Sequence, residues 1–310
     1  MTFKVKGTSV PGTAHLGQGP VLIGKNNQDA FIIQEGREGG NPLICLVSDG
    51  VSSACDAEVG SKLAVRLYHR TIQREFRRAH AVLNAAVQQG LKIETDPLPG
   101  AFWARVDNNA LAPLSSLMMA LGPDDESFRQ TLRELFIFTV IGILHTEEYG
   151  SWVFGPKGSD GVYAVNEDIV VLEPQTGNKP ISPCYRFVPN EFQDQPDLME
   201  TVVHRYIPPG KLENFLIGTD GMVHYMSAIG KKMPGRNELV LELSKLWVDD
   251  EFFRDDSLHL YFRQMNTQSC RLIRPTTEEE QQGKKAKLLR EPGLLMDDTT
   301  LVIGKRFSTL

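Results

Sequence analysis

Short apolar runs dominate both ends of the chain, and helical periodicity fills its middle. Residues 3–10 and 30–34 carry the branched and aromatic side chains of strands, divided by a glycine-rich stretch from Gly12 to Gly24. Residues 43–48, "LICLVS", are almost continuously apolar, as expected of a strand buried on both faces. After Asp49 the period changes. Val59, Leu63, Leu67, Ile72 and Phe76 recur three to five residues apart and predict an amphipathic helix over 57–80. Asp56 suits its N-cap, and Glu58 suits the first turn. Arg74, Arg77 and Arg78 then fall at its C-terminal end as a solvated basic face that complements the helix dipole.

Residues 81–92 and 103–120 also read as helical, with "TDPLPG" as the break between them. Strands are predicted at 135–144, 151–154, 162–165, 169–172, 201–207 and 215–218, and "VNEDIV" has the character of a hairpin. Helical patterns return at 222–228, 238–247 and 257–265, and "DDTTLVIGKRF" closes the chain with acids followed by a strand. The charged, Pro/Gly-bounded segment 275–293 is expected to be a mobile surface excursion. No internal repeat is visible. Strands from both ends enclosing a helical middle predict one α+β domain over 1–310, with stacked sheets flanked by helices and a helical segment at about 81–133. The strands and helices do not alternate, which disfavours a doubly wound parallel sheet.

Composition narrows the class. With 41% hydrophobic and 23% charged residues the chain has a soluble globular balance. A net charge of −6 argues against a nucleic-acid partner, and no stretch approaches the length of a membrane span. The opening "MTFKVKGTSV" lacks the apolar core of a secretory leader. Cys45, Cys55, Cys184 and Cys270 form no CxxC pair, so free thiols and a cytoplasmic location are expected.

The candidate chemistry lies where strands end. "ICLVSDG", "FLIGTDG" and "GSDG" each close on an acid and a glycine, at Asp49, Asp220 and Asp160. One such corner is usually only a turn, because aspartate and glycine are default turn residues. The collective pattern is different: Asp29 in "NNQDAF" and Asp297 in "MDDTTLV" also set acids against β-rich sequence. If these strands pack together, the carboxylates repel one another unless a cation binds. Aspartate oxygens without histidine or thiolate suit hard ions, Mg²⁺ or Mn²⁺, rather than zinc.

In order, "NQDAF", "VSDGVSSACDAEVGSKLA", "GSDGVY", "IGTDGM" and "DDTTLVI" resemble the metal-dependent type 2C protein phosphatases, especially their divergent bacterial-type branch, from about Gly7 to Gly304. The resemblance implies a four-layer α-β-β-α fold, a β-sandwich of two antiparallel sheets flanked by helices. It also implies hydrolysis of a phosphorylated serine or threonine on a protein substrate, directly by a metal-bridged hydroxide. Two Mn²⁺ or Mg²⁺ ions are implied, with a third, outer ion at Asp160. Asp49 would bridge the two ions with help from the Gly50 carbonyl. Asp220 and Asp297 would complete the first site, Asp29 would serve the second, and Asp298 would act from behind the ligands.

Two departures matter. Where many members carry an arginine for the substrate phosphate, this chain has Gly24 beside Lys25, and lysine offers a point charge without the bidentate fork. Where many carry a histidine after the Asp-Gly, this chain has Val51. These losses leave open a pseudophosphatase that binds a phosphorylated partner without turnover. His15 reads as an ordinary loop residue and His224 as packing; the other histidines show no ligand spacing. No cysteine has an arginine six residues on, and no Walker-type loop is present, which excludes cysteine-based phosphatase and P-loop chemistry.

Overall fold

The structure, a computed structural model, describes residues 2–15, 26–36, 41–51, 56–89, 95–175, 181–277 and 285–307. Along the chain run β1 (Thr2–Val10), β2 (Ala30–Gln34), β3 (Leu43–Ser48), α1 (Glu58–Gln88), α2 (Gly100–Leu121) and α3 (Asp125–Leu135). There follow β4 (Ile141–Thr146), β5 (Gly150–Pro156), β6 (Gly161–Val165), β7 (Asp168–Leu172), β8 (Thr201–Ile207) and β9 (Asn214–Gly218). The chain continues through α4 (Gly221–Ala228), α5 (Lys245–Val248), α6 (Ser257–Asn266), β10 (Ser269–Ile273), β11 (Lys287–Glu291) and β12 (Thr299–Phe307). Two antiparallel five-stranded sheets form, ordered β1-β12-β9-β6-β7 and β2-β3-β4-β5-β8, while β10 and β11 pair as a separate ribbon.

Alternation along the strands explains the layering. In β3, Ile44 and Leu46 face a core shared with Tyr68, Phe76, Phe102 and Leu114 of α1 and α2. Leu43, Cys45 and Val47, on the opposite face, pack between the sheets against Phe215, Ile217 and Val302. The second sheet repeats this pattern: Leu216, Leu301 and Ile303 turn to Tyr225, Leu246 and Phe262 of the remaining helices. Successive side chains of a strand point to opposite faces, so three cores separate four layers. This is the α-β-β-α sandwich expected from the sequence, and the near-continuous apolar run of β3 reflects burial of both its faces.

Asp107 ties the helical layer to the sheet edge. It is 2% exposed and accepts from Tyr68 Oη–H (3.0 Å), Thr201 N–H (2.8 Å) and Thr201 Oγ1–H (2.6 Å). Asp107→Ala strands these donors in a buried place and is expected to cost about 2–4 kcal/mol. Urea unfolding monitored by circular dichroism measures this, and a change below about 0.5 kcal/mol, the ordinary surface range, would contradict it.

Several boundaries differ from the sequence reading. Residues 81–88 continue α1 without a break, so Arg74 and Arg78 are not at a helix end. They flank Glu75, fully buried, with Arg105 of α2 on its other side. The apolar run 135–144 is a strand only from Ile141, and α3 reaches Leu135. Phe136 and Phe138 are fully buried without forming a ladder, save one bridge from Phe138 to Gly50. Of the predicted helix 238–247 only 245–247 is helical, as the start of α5. Upstream, the backbone of Leu241 is held by side chains: its N–H donates to Tyr261 Oη, and its carbonyl accepts from Tyr225 Oη–H. Within the expected excursion 275–293, residues 278–284 lie outside the described ones, and 287–291 form β11 against β10. No helix among the described residues is long and apolar enough to cross a membrane.

Candidate metal centre

Strand register brings the acids to one end of the sandwich. Ala30 pairs with Ser48, so one step further Asp29 stands opposite Asp49. Val162 pairs with Gly218, which sets Asp160 opposite Asp220 two steps on. β12 lies between β9 and β1, with Leu301 opposite Gly218 and Val10 opposite Thr299, so Asp297 and Asp298 enter the same corner. The sheets are joined there by Thr219, whose Oγ1–H donates to Asp29 Oδ2 at 2.8 Å.

Glycine permits the close approach. Gly161 has φ 129°, in the region that side chains avoid, and turns the chain directly after Asp160. A Cβ at Gly221 would lie 2.1 Å from the Asp298 carbonyl oxygen, so any side chain there would push β12 away from α4.

The electrostatics are those of packed acids with no lysine or arginine counter-charge among the described residues. Burial, together with the charge of Asp298, pushes Asp29 up to about 7. Asp220 is pushed to about 8 by burial and then by Asp160, Asp297 and Asp29. Asp160 reaches about 6 through burial and the charge of Asp297. Asp49 is driven well above the usual carboxylate range by burial, Asp220 and Asp29, with a smaller contribution from Asp160. Among the described residues no lysine or arginine pairs with any of these four.

Asp29 Oδ1 and Asp160 Oδ1 are buried and accept no hydrogen bond from the described residues. An ionised carboxylate only accepts, so a proton or a cation is what can satisfy these oxygens. The donors are hard oxygens, so this corner fits Mg²⁺ or Mn²⁺.

Asp29, Asp49, Asp160 and Asp220 are thus brought together. The charge of Asp160 is the leading one acting on Asp220 and the smallest of those acting on Asp49. Asp297 is at the rim, 34% exposed. Gly50 is buried and bridged to Phe138. Lys25 and Gly24 lie outside the described residues. Val51 packs against the core beneath the helices, so the position where many relatives carry histidine is filled with apolar contact.

Sequence reasoning passed over His15. It is 6% exposed, not a free loop residue, and its Nδ1 lies 2.8 Å from Asp298 Oδ1. Asp298 also accepts from the backbone N–H groups of Gly12 (2.7 Å) and Gln28 (2.6 Å). Only the tertiary fold joins positions 283 residues apart, and no local pattern marks them. The side chain of His224, half-buried on α4, makes no hydrogen bond or ion pair with the described residues.

A family model described as protein phosphatase 2C matches residues 12–269. Similar solved structures include serine/threonine phosphatase Stp1 from Staphylococcus aureus, at 11% identity, 99% coverage of this chain, 96% of that chain and a TM-score of 0.47. A bacterial serine phosphatase (11%, 99% and 100%, TM-score 0.45) and the photosystem II phosphatase PBCP (13%, 98% and 99%, TM-score 0.44) are also similar. No curated protein sequence matches the chain. The family match runs from Gly12, beside the clustered acids, to Ser269 beyond α6, and this chain belongs to the protein phosphatase 2C family.

Proposed function

We propose that the chain is a metal-dependent phosphomonoester hydrolase acting on phosphoserine or phosphothreonine in a protein substrate. The observation that supports this is the corner of Asp29, Asp49, Asp160 and Asp220, whose carboxyls are all raised by burial and neighbouring acids and are paired with no lysine or arginine among the described residues. In this reading Asp49, Asp220 and Asp297 would hold one divalent ion. Asp49, Asp29 and the Gly50 carbonyl would hold a second, and Asp160 would serve an outer third. When bound, Mn²⁺ or Mg²⁺ supplies Lewis-acid polarisation of the phosphoryl oxygens and a lowered pKa for the attacking water.

The chain's own residues prepare that chemistry. Thr219 fixes Oδ2 of Asp29, a residue that also interacts with Asp49. Asp298 gathers the backbone of Gly12 and Gln28 so that the loop after β1 and the approach to β2 close on the acids. Lys25 is the proposed grip on substrate phosphate, as a single positive charge. We read residues 1–310 as one phosphatase domain. Buried free thiols at Cys45 and Cys184 suit a reducing, cytoplasmic setting.

Hydrolysis of para-nitrophenyl phosphate and of a phosphothreonine peptide tests the proposal. Turnover is expected only after Mn²⁺ or Mg²⁺ is added to metal-stripped protein. Silence from folded protein shown by calorimetry to hold Mn²⁺ would overturn the hydrolase reading. It would favour a module that binds phosphorylated partners without cleaving them, a reading supported by Val51 packed into the core.

A further inference from the structure

We propose that His15, through Nε2, is a nitrogen ligand to the ion held at Asp297, with Asp298 as the positioning residue behind it. His15, Asp297 and Asp298 each offer a donor atom within 4.8 Å of the others, but the three are not equivalent. Asp298 is committed. Its Oδ1 takes Gly12 N–H and the His15 ring, and its Oδ2 takes Gln28 N–H. A carboxylate accepts only, so the proton of a neutral His15 sits on Nδ1, and Nε2 is left with its lone pair. A carboxylate behind the ring of a metal-binding histidine sets its tautomer and orientation in this way.

The free nitrogen looks toward Asp297. Nε2 is 3.9 Å from Asp297 Oδ1, too far for a hydrogen bond. One ion with bonds of roughly 2.0–2.2 Å spans such a gap. The backbone on both sides is pinned, so neither group needs to be ordered when an ion arrives. Thr13 N–H donates to Leu295 O (2.9 Å), Ala14 N–H donates to Met296 O (3.0 Å), and the turn is closed by His15 N–H to Gly12 O (3.1 Å). Asp297 is partly exposed and His15 is buried, which leaves entry from the Asp297 side.

One nitrogen among oxygens shifts the site's preference away from Mg²⁺ and toward Mn²⁺ and the later first-row ions. The competing arrangement is a doubly protonated His15 that pairs with both acids. Its Nε2 would then carry a proton and could not bind a metal.

This inference rests on the metal-dependent hydrolase reading, and spectroscopy of the bound ion separates the two. The full chain is stripped of metal, loaded with one equivalent of Mn²⁺ and studied by pulsed electron paramagnetic resonance, beside isothermal titration with Mn²⁺ and Mg²⁺. The wild-type protein is expected to show a directly coordinated ¹⁴N that becomes ¹⁵N when only histidine is isotopically labelled. His15→Gln should lose the nitrogen signal and weaken Mn²⁺ binding about 10–100-fold, with a smaller effect on Mg²⁺. Asp298→Asn should weaken Mn²⁺ by a similar factor. The labelling experiment needs no substitution, so it decides the matter even where a variant fails to fold.

Bound Mn²⁺ without nitrogen coupling, or coupling unchanged in folded His15→Gln, overturns the ligand role while turnover still supports the hydrolase. Nitrogen coupling without turnover does the reverse. A wild-type chain that binds no Mn²⁺ overturns both.

Discussion

Asp49→Asn is expected to lower Mn²⁺-dependent hydrolysis of para-nitrophenyl phosphate by at least about 10³-fold, at the upper end of what removing one preorganised electrostatic group costs. The residue directly follows β3 in the acid corner and interacts with Asp29, Asp160 and Asp220 at once. In the proposed arrangement it is the one side chain shared by two ions, so its loss weakens both. The fold should survive. Metal-free protein carries Asp49 as a half-buried acid beside other acids, and asparagine removes that repulsion while keeping the shape. The metal-free variant is therefore expected to melt at or above the wild-type temperature near pH 8, and to lose most of the stabilisation that Mn²⁺ confers. Calorimetric melts with chelator and with Mn²⁺, run beside the activity assay, check both halves. Full activity in the variant would remove Asp49 from the reaction. A collapse of the metal-free melt would make it a structural acid.

Metal-free protein is expected to become less stable as pH rises from about 5 to about 8.5, by several kcal/mol in order of magnitude. Asp160, Asp29 and Asp220 are raised to about 6, about 7 and about 8 from an ordinary value of 3.8. Between the unfolded and folded values the native chain holds protons that the unfolded chain has released. Their contribution is complete below about pH 4 and is lost as pH climbs through the folded values. Melting temperatures in chelator should fall by at least about 5 °C across that range. Mn²⁺ should restore them most at high pH, because an ion replaces the protons the acids would otherwise need. Titrations in buffers of different ionisation enthalpy should register proton release on binding. A melting temperature that stays level or rises with pH in chelator would show that these acids are compensated by some other group.

Period and turn chemistry carried much of the fold in one dimension. Strand β2 and strand β8 have the predicted limits, and β3 was legible because an apolar run that stops at Asp-Gly has few other meanings. Periodicity failed where apolar residues are buried without regular backbone. Phe136 and Phe138 look like strand residues, yet they fill the core from irregular chain. Leu241 looks helical, yet two tyrosine hydroxyls take its backbone groups. In each case a contact distant in sequence outweighs the local preference.

The site divides in the same way. Sequence by itself determined the residue types: acids at strand ends, each beside a glycine or a tight turn, in the order of the type 2C phosphatases. Only the tertiary structure decided their company. Register sets Asp29 against Asp49 and Asp160 against Asp220, and burial turns four ordinary carboxyls into groups that need protons or cations. The part of His15 was invisible in one dimension, because a histidine in a glycine-rich loop carries no sign of the aspartate that will hold its ring. That bond forms only when the first strand and the last lie side by side, which is a property of sheet pairing and not of either segment.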